Sequence, residues 1–68
     1  MKIKLPKSSK CYEIIREQLG KNNMNTKPIS CGGGIEVYET KAGQKFVGIM
    51  VVDLLNYEIT LSKTWAGK

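Results

Sequence analysis

Cys31-Gly32-Gly33-Gly34 is the one segment of this 68-residue chain whose residue types suggest chemistry at once. A run of glycines lets backbone N–H groups close on a phosphate or an oxyanion, and a neighbouring thiolate is a nucleophile. The flanking residues argue against both uses. A phosphate loop carries its glycines between a strand and a helix start and follows them with Lys and Ser or Thr, whereas here Ile35 opens an alternating stretch that reads as a strand. The run is therefore expected to be a hinge that turns a loop into that strand.

Other reactive groups are sparse. The chain has no His, so a Ser or Cys nucleophile would depend on Lys, Asp or Glu as its base, and no spacing supplies such a pair. Glu13 and Glu17 stand one helical turn apart, where an acid and base couple could form, but the position reads as a solvated helix face. Asp53 reads as a turn former. Cys11 and Cys31 could complete a tetrahedral zinc site only with carboxylates, so no metal and no cofactor is expected. The chain reads as non-enzymatic.

Charge is the remaining lead. Eleven basic residues against six acidic ones give +5, and Lys2, Lys4, Lys7 and Lys10 crowd the first ten positions. Together with Tyr38 as a stacking surface, these four lysines would make a nucleic-acid-binding module. Arg16 is the sole arginine, however, which nearly removes bidentate reading of bases. A lysine face that is merely solvated accounts for the same composition.

The elements that must position these groups follow from periodicity. Met1 to Leu5 alternates, with Ile3 and Leu5 on one side and Lys2 and Lys4 on the other, as a half-buried strand does. Beyond Pro6, Ser8 and Ser9 offer caps to a helix whose apolar stripe is Cys11, Ile14, Ile15 and Leu19, with Gly20 as the expected stop. Residues 21–34 are rich in Asn, Thr, Pro, Ser and Gly and read as a long loop. Ile35 to Thr40 alternates again, Ile35 and Val37 opposing Glu36 and Tyr38. Residues 41–44 then form a turn in which Gly43 takes a positive φ.

Lys45 to Val52 is nearly all apolar and reads as the central strand, with Phe46, Gly48 and Met50 on one face and Val47, Ile49 and Val51 on the other. After a turn at residues 53–56, Tyr57, Ile59, Leu61 and Trp65 share one face of a last strand, and Glu58, Thr60 and Ser62 share the other. The result is a single α+β domain spanning residues 1–68. One helix packs on a small, mainly antiparallel sheet in the order β-α-β-β-β.

That architecture contains a mismatch. One helix covers one face of a sheet, so Val47, Ile49 and Val51 must be hidden by curling of the sheet, by the long loop, or by another protein. The expectation carried forward is a docking protein whose partner-binding residues are Tyr38, Val47, Ile49 and Val51. The partner would be another protein, such as a nucleic-acid-handling complex, or a second copy of the chain. Size and basic composition fit a phage or mobile-element inhibitor of a host enzyme or defence complex, in the manner of an anti-CRISPR protein. Residues 1–6 start basic but run into no apolar segment of the roughly 7 to 15 residues a secretory signal needs, and the stretch from Phe46 to Val52 is too short to span a membrane. A cytoplasmic protein without membrane association is expected.

Overall fold

The computed structural model describes residues 1–62. Its elements are β1 (Lys2–Lys4), α1 (Lys10–Lys21), β2 (Ser30–Gly32), β3 (Ile35–Ala42), β4 (Lys45–Asp53) and β5 (Glu58–Ser62). The five strands form one sheet in the order β1-β5-β4-β3-β2, with every neighbouring pair antiparallel. The α+β class with one helix on an antiparallel sheet is thus what the chain adopts, with one strand, β2, beyond those read from the sequence.

Strand order explains the helix. β1 and β2 lie at opposite edges, so α1 must carry the chain across the whole sheet. Twelve helical residues rise about 18 Å, close to the roughly 19 Å spanned by four interstrand spacings. Cys11 and Ile15 are buried and Ile14 and Leu19 pack beside them, so the stripe expected from the sequence is the face that meets the sheet. They join Leu5, Met24, Tyr38, Met50, Val52 and Ile59 in the core, and the last three of these have no exposed surface at all.

Both helix ends differ from expectation. Ser9 occupies the N-cap without a side-chain bond, while the Ser8 Oγ accepts from the Lys10 N–H at 3.3 Å. Gly20 does not stop the helix, which runs to Lys21 and ends with Asn22 as its cap and Asn23 at φ 53. The Met24 N–H then donates to the Leu19 carbonyl at 2.9 Å and the Asn23 N–H to the Gly20 carbonyl at 3.4 Å, the bonding of a Schellman motif. Asn tolerates the left-handed conformation better than other residues with a Cβ, so Asn23 can close the helix without a glycine.

The stretch read as a loop at 21–34 is instead laid along the sheet edge. Met24 is buried and bridges to Thr40, the Asn25 N–H donates to the Glu39 carbonyl at 3.3 Å, and the Ile29 N–H donates to the Val37 carbonyl at 2.7 Å before β2 pairs with β3. The glycine run is correspondingly no hinge. Gly32 pairs with Ile35 across a two-residue hairpin loop whose Gly33 and Gly34 have φ 60 and φ 83, as a type I′ turn requires. A Cβ on Gly34 would lie 3.0 Å from Leu55 Cδ2, whereas one on Gly33 would meet nothing. Gly33→Ala is expected to cost about 1 kcal/mol and Gly34→Ala about 1–2 kcal/mol. Each kcal/mol would lower Tm by about 4–8 °C in a domain this small. Equal melting points for the two variants would mean that the Leu55 side chain yields freely.

Residues 41–44 are less turn and more strand than expected. Ala42 pairs with Lys45 across the two residues Gly43 and Gln44, and Gly43 does take a positive φ, 67°. The register slips between Thr40 and Lys41, so that Thr40 faces Gly48 and Lys41 faces Phe46, leaving Val47 as the extra residue of a bulge. Phe46 is accordingly moved off the face it was expected to share with Met50. Tyr57 lies in the turn before β5 at φ 54, and Trp65 lies outside the described residues.

Candidate docking face

Residues directly opposite one another in an antiparallel ladder share a face, so the registers assemble the side of the sheet turned away from α1 row by row. Its central row reads Ser30, Val37, Val51, Thr60, Lys2. On one side lies Gly32, Ile35, Asp53, Glu58, Lys4, and on the other Glu39, Ile49, Ser62. Ile49 and Val51 therefore lie together, with Val37 and the exposed Ile35 extending the aliphatic patch, and Val47, the bulge residue without a register partner, lines the same concavity as Ile49. Val37, Val47, Ile49 and Val51 are half-buried and are not among the side chains packed against the helix-side core. The sheet is open, since β1 and β2 are unpaired edges, so curling into a closed barrel does not account for the patch.

Tyr38 corrects the sequence reading. It sits opposite Met50, on the helix-covered face, and is 5% exposed, so it is a core residue and no part of a docking or stacking surface. Its hydroxyl donates to Glu36 Oε1 at 2.8 Å, and burial, reinforced by the adjacent Glu36 carboxylate, pushes its pKa up to about 12. Alternation along β3 correctly paired Tyr38 with Glu36, but the sheet-wide register was needed to say which face the helix takes.

The four N-terminal lysines do not form one patch. Lys2 and Lys4 lie on the open face, as expected. Lys4 stands 3.3 Å from the Glu58 carboxylate. Lys7 lies 5.7 Å from the centroid of the Tyr57 ring, and Lys10 opens the helix. Among the described residues of the open face three cations, Lys2, Lys4 and Lys41, are matched by three anions, Glu39, Asp53 and Glu58, with Lys41 and Glu39 3.8 Å apart. Such exposed pairs add little stability. Their consequence is that the face is electrically neutral while the chain carries +5.

Asp53 also shapes the end of this face. Its carboxylate accepts from Asn56 Nδ2 at 2.9 Å and from the Leu55 and Asn56 backbone N–H groups at 2.9 and 3.1 Å. The bonds from Asn56 hold its pKa below the ordinary carboxylate value. The Tyr57 carbonyl, turned by the positive φ, accepts from the Leu5 N–H at 2.8 Å and so anchors the chain just beyond β1. The charged partners of the face escaped sequence reading because each pairs with a residue distant along the chain or hidden in an alternating strand.

Chemistry-bearing groups stay scattered. Cys11 is buried and Cys31 exposed, both as free thiols, and the described residues contain no group of three or more His, Cys, Asp or Glu placed to hold a metal. One concavity of about 760 Å³ is lined by Met24, Gly48, Ile49 and Leu61 among others, and none of these lining side chains is ionisable. No helix among the described residues is long and apolar enough to cross a membrane. No protein-family model matches the chain, and comparisons with curated proteins and with solved structures yield no significant match.

Proposed function

We propose that this chain is a small non-enzymatic binding protein that docks onto another protein through the sheet face opposite its helix. One observation carries the reading: the face has an aliphatic centre of Val37, Val47, Ile49 and Val51 inside a ring of charges that cancel. Desolvating such a surface removes apolar area from water at no net electrostatic cost from like charges. A phosphate-binding surface needs the reverse, an excess of cations converging on one place. Lys2, Lys4, Lys7 and Lys10 are distributed over a sheet edge, a turn and a helix start, which supports protein docking over the nucleic-acid alternative. The narrower role of a phage-borne inhibitor of a host defence complex has only size and basic composition in its support.

A photo-crosslinking side chain at position 60, beside Val51, tests the reading against the same group at position 17 on the exposed helix face. Irradiation in lysate is expected to give a discrete protein adduct from position 60 alone, unchanged by nuclease. Combined Lys7→Gln and Lys10→Gln, which lie off this face, should leave its yield within about two-fold, because exposed cations are largely screened at physiological salt. An adduct that disappears with nuclease and with these two changes would make the protein a nucleic-acid-binding module.

A further inference from the structure

Resting on the docking reading, we infer that the occupant of this face is a second copy of the same chain, packed sheet on sheet about a two-fold axis. Charge is the first reason. A two-fold interface sets the same patch against itself, so a patch with net charge repels its copy. In a +5 chain the described residues of this face have equal numbers of cations and anions, and each sign is available to meet the other across the axis.

Composition is the second reason. Interfaces between different proteins concentrate their energy in Trp, Tyr and Arg anchors seated in pockets. Among the described residues, none of those residue types occurs at the register positions of this face, whose centre is β-branched and aliphatic with Phe46 at its end. Homodimer interfaces are the more uniformly apolar class, and two twisted sheets stack at about 10 Å through such side chains. The dimer would be four layers, helix-sheet-sheet-helix, with the two helices outermost.

The area sets how tight it is. Five strands about 4.8 Å apart, of three to nine residues and averaging about six, present a face of roughly 19 by 20 Å, on the order of 400 Å² in projection. That is about half of what a standard interface buries per partner, a size that fits a weak, reversible dimer. The dimer also supplies burial to a small domain whose described residues include eight buried apolar side chains.

Sedimentation equilibrium of the purified chain between about 5 and 500 µM tests this. A monomer–dimer equilibrium with a micromolar Kd is expected, and Ile49→Asp should weaken it at least about 30-fold while far-UV circular dichroism stays that of the parent. Where Ile49→Asp fails to fold, Thr60→Arg, at a polar position of the same face, serves instead. Raising salt from about 50 to 500 mM should shift Kd by less than about three-fold, since the face carries no net charge. A chain that is monomeric at 500 µM overturns the inference, as does a dimer indifferent to both substitutions or one that falls apart as salt rises. The crosslink at position 60 separates the two levels of the argument. An adduct of twice the chain mass supports the second copy, an adduct of any other protein mass overturns it and leaves docking standing, and no adduct overturns both.

Discussion

Ile15→Ala is expected to remove a large part of the domain's stability at 25 °C, about 2–4 kcal/mol. The helix reaches the core through only two buried side chains, Cys11 and Ile15, with Ile14 and Leu19 half-buried beside them. Removing three carbons from Ile15 loses their burial and leaves a cavity in the core cluster that it shares with Met50 and Ile59, at a cost of about 2–4 kcal/mol. A chain of 68 residues has about 3–10 kcal/mol of stability in all. Urea unfolding followed by far-UV circular dichroism measures the loss directly. Glu17→Ala, on the exposed side of the same helix, should stay within about 0.5 kcal/mol of the parent. A cooperative Ile15→Ala protein less than about 1 kcal/mol below the parent would mean that the helix is not docked on the sheet.

Alkaline pH should act through Tyr38. The core holds the neutral phenol, so its folded pKa is raised to about 12 while the unfolded chain titrates at the ordinary 10.0. Below pH 10 both states keep the proton and the stabilisation is complete. As pH rises from 10 towards 12 the unfolded state gives up the proton first, and stability falls, by about 2–3 kcal/mol for a shift of this size. Lysines lose charge in the same interval, so the contribution of Tyr38 is the difference between the parent and Tyr38→Phe. Denaturant midpoints at pH 9, 10, 11 and 12 are expected to decline more steeply for the parent. Parallel declines would place the Tyr38 hydroxyl in water, against its 5% exposure and its 2.8 Å bond to Glu36.

Periodicity alone was enough for the helix stripe, for the alternation within β3 and β5, and for the single α+β class. Each is a local property, because a helix or strand repeats its faces every few residues and the apolar residues fall on that repeat. Val47, Ile49 and Val51 were legible as one side of β4 for the same reason, and the imbalance between one helix and two apolar faces followed by counting faces.

Local pattern could not say which strands are neighbours, and the docking face depends on that. Tyr38 is core because β3 lies in register with β4 and turns that residue towards the helix, a decision made by pairing Tyr38 with Met50. β2 was invisible because three residues ending in glycine carry no periodic signal, and it exists because β3 offers an edge and Gly33-Gly34 close the hairpin. Lys4 and Glu58 meet only because the first strand returns to pair with the last. Composition by itself determined that the chain is basic, but the cancellation of charge on one face belongs to the tertiary structure. Net charge is a sum over the sequence, whereas a surface potential depends on which charges folding brings within a few ångströms of one another.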